Sequence, residues 1–184
     1  MVVVLGALGT LSVYSGIYNV AATKGHTKPV EQILRITMMR SVVVHAREVH
    51  APANFDPQDR VLVGRAAGHY EMMCRTCHGA PGKKPDSWRL YPPAPDLADA
   101  LRVTRWSDAE VFWIIKNGLK DTGMSAFGQS HDDDDLWALT AFVRQIQSIT
   151  PEQYHTMVEH APMKEGPDHE GQTHASEPAQ PSKH

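Results

Sequence analysis

The first 23 residues, Met1 to Thr23, contain no Lys, Arg, Asp, Glu or His, and VVVLGALGTLSVYSGIYNVAA within them runs apolar for 21 residues. At about 1.5 Å per helical residue such a run spans roughly 30 Å, the thickness of a bilayer's hydrocarbon core. The pattern predicts a transmembrane helix over residues 1–23. A cleaved signal peptide is the rival reading, and it needs a basic leader and an A-x-A-like site. Met1 is followed directly by valines and Asn19-Val20-Ala21-Ala22 is a poor cleavage match, so a retained anchor is preferred. A buried core helix is the third reading and the least suited to this stretch.

After a break at Gly25 to Pro29 the period changes. Val30, Ile33, Leu34, Met38, Val42 and Val49 recur near helical spacing, which predicts an amphipathic helix over 30–49. It either lies along a membrane surface or a partner subunit, or packs on the downstream domain. APANFDP (51–57) is a turn-rich boundary. A helix is expected over 57–73, running into CRTCHG, and a long Pro-rich loop comes next, GAPGKKPDSWRLYPPAPDL. WSDAEVFWIIKNG predicts a helix with a capping box from Ser107 to Glu110 and a stop at Gly118.

The loop DTGMSAFGQS leads into an amphipathic helix, DDDDLWALTAFVRQI. Asp132 to Asp135 sit in its first turn, where carboxylates suit the helix dipole, and read as a solvated helix start rather than a calcium site. Thr150-Pro151-Glu152 opens a short final helix with Pro at the first position. Beyond about Ala161 the chain reads as disordered. Its His169, His174 and His184, like His155 and His160 before them, are spaced too irregularly for a metal site. No useful strand alternation occurs, so the expected class is all-α. The expected division is 1–23 anchor, 24–56 amphipathic helix and linker, 57–149 a helical domain, and 150–184 short helix and tail.

A net charge of −3 with mixed signs leaves no nucleic-acid footprint. Nothing resembles a catalytic triad, a phosphate-binding loop or a dinucleotide site. Lys24, Lys28, Arg35 and Arg40 follow the anchor, and the positive-inside tendency alone would put them in the cytoplasm.

Cys74 and Cys77 are the only cysteines, one turn apart, with His78 directly behind. A zinc site would need two further ligands at suitable spacing, and only scattered histidines are available. A thioredoxin-type dithiol would sit near a β-α-β pattern, which is missing. Covalent haem attachment fits best: Cys-x-x-Cys-His supplies two thioethers and an adjacent imidazole for the iron. A second axial ligand is then needed downstream. Met124, in Gly123-Met124-Ser125-Ala126-Phe127-Gly128, stands on a loop between two expected helices and offers a soft thioether. His131 is the competing ligand, and core packing is the default for Met38, Met39, Met72 and Met73.

The stretch from about Pro57 to Gln147 resembles a class I c-type cytochrome, of the mono-haem, membrane-anchored bacterial kind. CRTCHG matches the family's haem-binding signature, and GMSAFG resembles its axial-methionine loop, often written GMPAFG, with Ser125 where Pro is frequent. The resemblance implies an all-α, cytochrome c-like haem domain behind the N-terminal transmembrane helix, with one covalent haem c and its iron. It implies that Pro95, in PDL, accepts a hydrogen bond from His78 and that Leu97 contacts the porphyrin. It also implies a helix crossing built on Ala66 (where Gly is usual), Tyr70 and Phe142. Trp88, Arg89 and Trp106 are candidates for the propionates, with plain packing or solvation as the alternative.

Haem c is attached outside the cytoplasm, so the expected location is a bacterial inner membrane, single-pass, with the haem domain in the periplasm. The charge bias after the anchor is then overridden, or a basic residue precedes the sequence. The expected function is single-electron transfer through a His78/Met124-ligated haem, not catalysis. The chain would serve as a carrier or as a subunit of a respiratory membrane complex, among redox protein partners and without nucleic acid. A haem peroxidase or gas-sensing module with a labile sixth ligand is the alternative. Lys83, Lys84, Lys116 and Lys120 are candidates for a docking patch.

Overall fold

The computed structural model describes residues 2–21, 23–86, 90–99 and 105–161. The described chain is helical, and its nearest approach to a strand is an isolated bridge between Ala80 and Lys83. Among the described residues seven α-helices run in order: α1 (Val2–Tyr14), α2 (Lys28–His45), α3 (Arg60–Met73), α4 (Arg75–His78), α5 (Asp108–Asn117), α6 (Asp133–Gln145) and α7 (Pro151–His160).

The core forms where α3 crosses α6, with α5 and α7 packed on the same pair. Ala66 and Ala67 on α3 are fully buried, as are Leu136, Leu139 and Phe142 on α6. Small side chains at 66 and 67 let α6 approach, and the Tyr70 ring then stacks at a tilt on Phe142, with centroids 4.7 Å apart. Burying a side chain the size of Leu or Phe contributes about 1.5–3 kcal/mol, so this crossing is a main source of stability. Phe112 of α5 stacks on Trp137 of α6 at 4.2 Å, and Phe55 from the preceding linker closes the other side of that indole at 4.7 Å.

Helix ends follow local chemistry. Asp59 caps α3 by accepting from the Val61 and Leu62 backbone N–H groups, so the helix begins at Arg60 rather than near Pro57. The expected Ser107–Glu110 capping box is present on α5. α7 carries a second box, Thr150 with Gln153, and Pro151 at its start. Asp132 caps α6, and within the acidic run Asp135 is buried rather than solvated. α2 begins at Lys28 and ends at His45, with one tight turn, Ala46–Glu48, beyond it. Both the helix and that turn pack on α5, with Val42 and Ala46 buried. Met72, expected to be core, is 58% exposed, whereas Met73 packs on the core.

The N-terminal segment departs most from expectation. Instead of one helix over 1–23, α1 stops at Tyr14, and no described helix is long and apolar enough to cross a membrane. The stop has a local cause. Ser15 turns its hydroxyl onto the Ser12 carbonyl, Gly16 takes φ +64°, and Asn19 bonds its side chain to the Ala21 N–H. Among the described residues α1 packs against no other helix, and Val3, Leu11, Val13 and Tyr14 are exposed. The segment behind it does reach the domain. The His26 N–H donates to the Tyr91 hydroxyl at 3.0 Å, and the Tyr18 hydroxyl meets His26 Nδ1 at 2.6 Å.

Candidate functional site

A small apolar cleft opens where α3, α5 and α6 meet two loops. Cys74, His78, Leu97 and Met124, singled out from sequence as haem contacts, all line it, as does Tyr70 of the expected helix crossing. The helical register explains the first two. Cys74 closes α3 and starts α4, the His78 N–H bonds back to the Cys74 carbonyl at 2.8 Å, and the two side chains stand one turn apart. Cys77 lies between them in the same turn, and the two cysteines form no disulfide with each other.

Pro95 holds His78. The His78 Nδ1 atom lies 2.9 Å from the Pro95 carbonyl oxygen, which can only accept. The proton therefore sits on Nδ1, and Nε2 keeps its lone pair. The Leu97 N–H donates to the His78 carbonyl at 3.0 Å, fixing the same loop from the other direction. Burial lowers the His78 pKa, opposed by the Pro95 bond, so the imidazole is held neutral. Burial, and then the neighbouring Cys77, push the Cys74 thiol up to about 12.

Met124 approaches from the loop after α5. Gly118 ends that helix at φ +66°, where a β-carbon would lie 2.6 Å from the Met124 carbonyl oxygen. The Leu119 N–H then donates to that carbonyl at 3.2 Å. Thr122 links the turn internally: its hydroxyl donates to the Leu119 carbonyl and accepts from the Met124 N–H. The methionine backbone is thus held from both sides.

His131 takes no part in the cleft lining. Its ring packs edge-on against His69 at 5.4 Å and lies 6.1 Å from Phe127. Trp106 packs on the core, and its carbonyl accepts from Arg144. Trp88 and Arg89 lie outside the described residues, as do His169, His174 and His184. Three of the four docking-patch lysines face carboxylates: Lys83 with Glu71, Lys84 with Asp96, and Lys116 with Asp133.

Sequence reasoning missed the rest of the lining: Ile115 on α5, Phe127, and Leu139 and Val143 on α6. Leu139 and Val143, at i and i+4, were visible as a helix face, but not as the face turned to the cysteines. It also missed a polar clasp behind the site. The Tyr70 hydroxyl donates to the Gly79 carbonyl at 2.7 Å, and the Tyr154 hydroxyl donates to Glu71 at 2.5 Å, joining α7 to α3. Arg75 Nε lies 3.0 Å from Glu71 without hydrogen-bond alignment.

Two thiols in one turn, an imidazole with Nε2 unprotonated, a thioether and an apolar cleft form the donor set and the walls that a covalent haem requires. An all-helical domain built around such a site defines a c-type cytochrome. Residues 62–143, somewhat under half of the chain, match the family described as cytochrome c oxidase, cbb3-type, subunit III. That segment is a c-type cytochrome domain that binds haem c covalently and serves haem-based electron transfer. No curated protein and no solved structure matches the chain.

Proposed function

We propose that the chain passes single electrons through one haem c held by thioethers from Cys74 and Cys77, with His78 and Met124 as axial ligands. The observation that carries this reading is the His78–Pro95 hydrogen bond, which leaves Nε2 unprotonated on a residue lining the same cleft as Met124. When bound, the haem supplies an iron that alternates between the ferric and ferrous states. Pro95 orients the imidazole and raises its basicity. Met124, as a soft donor, favours the ferrous form and raises the potential. Leu97, Ile115, Leu139 and Val143 exclude water from the site, which also favours the less charged state. With His78 and Met124 both on the iron, no coordination site would remain for a substrate.

Membership of a membrane-bound respiratory complex, with the haem domain in the periplasm, is the wider reading. It is supported by the family description of residues 62–143 and by the charge-free N-terminal stretch. α1, at roughly 20 Å, is short of a bilayer's core. In lipid, where backbone groups must be satisfied within the helix, residues 15–21 would join it to complete the span.

Optical spectra of the purified holoprotein and Met124→Ala test the site. A methionine-to-iron charge-transfer band present in the parent and lost in the variant supports the assignment. A five-coordinate, high-spin spectrum in the parent overturns it. Extraction of membranes with alkaline carbonate tests the anchor separately, since release without detergent would sink it.

A further inference from the structure

α2 has two faces. Val42 and Ala46 are buried against α5, and the His45 ring packs on Trp113 at 5.8 Å, so the helix is fastened to the haem domain. On the opposite side Ile33, Ile36, Arg40 and Val44 succeed one another at steps of three, four and four residues, and so share one stripe, with Arg47 in the tight turn just beyond the helix. All five are exposed, with Ile33 at 64%, Ile36 at 48% and Val44 at 45%. The one acid of the helix, Glu31, lies outside the stripe and pairs with Lys28 at 3.2 Å, and Glu48 follows Arg47 in the turn. Among the described residues neither Arg40 nor Arg47 has an acidic partner.

Leaving three branched aliphatic side chains in water on one helix face is unfavourable, and interleaved arginines do not suit a purely apolar partner. An interface of acyl chains beneath negative headgroups satisfies both: the aliphatics enter the boundary while the guanidinium groups stay at phosphate level. Chain continuity points the same way, since α1, unpacked and charge-free, lies just upstream. We propose that this stripe of α2 docks on an anionic lipid surface. The inference rests on the membrane reading of α1 only for bringing the helix near lipid. Because α2 is packed on α5, docking sets how the haem domain is turned toward the membrane.

The test uses the full-length holoprotein carrying Val44→Cys, labelled with a polarity-sensitive fluorophore, the parent serving as the control for labelling at Cys74 and Cys77. Vesicles of phosphatidylcholine, with and without phosphatidylglycerol, are the probe. Expected is a blue shift of the label only on phosphatidylglycerol vesicles, reversed by salt. In Arg40→Gln/Arg47→Gln, the ratio of docked to undocked label on those vesicles should fall roughly 30-fold, from the usual contribution of each basic residue near an anionic surface. The haem spectrum of that variant should stay unchanged. Equal binding to both vesicle types with a silent label would overturn the α2 contact while leaving the anchor of α1 standing. A label silent on vesicles that shifts with protein concentration would assign the face to a second copy, and one that shifts only with an acidic redox protein would assign it to that partner. Either result overturns the lipid assignment.

Discussion

A β-carbon on Gly118 would lie 2.6 Å from the Met124 carbonyl oxygen and 2.8 Å from the Ser125 carbonyl carbon. The end of α5 and the methionine loop are therefore in contact through backbone alone. Gly118 also holds φ +66° and ψ −172°, a region essentially reserved for glycine that costs other residues about 1–3 kcal/mol. Gly118→Ala should lower the melting temperature and weaken any methionine-to-iron band together. Gly64→Ala, on α3 with nothing within 4 Å of the added carbon, is the control and should be neutral or slightly stabilising. A Gly118→Ala protein with both properties intact would refute the contact's role.

The bond from Tyr154 to Glu71 joins residues far apart in sequence and is charge-assisted. Tyr154→Phe should cost about 1.5–3 kcal/mol in denaturant unfolding. A double-mutant cycle with Glu71→Gln should return a coupling of the same sign. Additive single effects would show that α7 is held by apolar packing instead.

Alkaline stability should bear the mark of two tyrosines. Burial raises the Tyr70 hydroxyl pKa above its usual 10.0. Burial and then the Glu71 hydrogen bond raise that of Tyr154. The folded chain keeps these protons where the unfolded chain loses them. Their contribution is therefore complete below pH 10 and declines as pH rises through the folded-state values. Absorbance titration of tyrosinate should show two of the five tyrosines ionising only with unfolding. Smooth ionisation of all five in the folded protein would contradict this.

Two surface cations should behave differently. Lys116 and Asp133 meet at 2.6 Å but are both substantially exposed, so Lys116→Ala should cost less than about 1 kcal/mol. Arg144, mostly covered, joins Asp108 at 2.5 Å and also bonds the Trp106 carbonyl. Arg144→Ala should cost about 1.5–3 kcal/mol, because a partly buried carbonyl loses its partner as well. Thermal melts that rank the two in reverse order would overturn this assignment.

The chemistry of the cleft was more legible in sequence than its walls. Cys74, Cys77 and His78 are neighbours in the chain, and GMSAFG is a contiguous string, so local spacing suffices to find them. The capping boxes at Ser107 and Thr150 were readable for the same reason, although only the Ser107 box was expected. Ile115, Leu139 and Val143 are different, since ordinary core periodicity says nothing about which helix faces which. Tyr154 is buried through an acid 83 positions away, a pairing no local pattern encodes. The N-terminal stretch differs from its pattern in the opposite sense. Its hydropathy is uniform, but Ser15, Gly16 and Asn19 offer the backbone a cheaper local turn than a longer helix.

The Tyr91 hydroxyl, by gripping the backbone of His26, shortens the slack between α1 and the domain to residues 15–25. Fully paid out, such a leash reaches no more than about 35–40 Å. Whatever holds α1 therefore keeps His26, and the domain fastened to it, within that reach, at a local concentration in the millimolar range. An acceptor inside the radius meets this domain at rates set by rotation and leash slack, whereas one outside it must come to the domain.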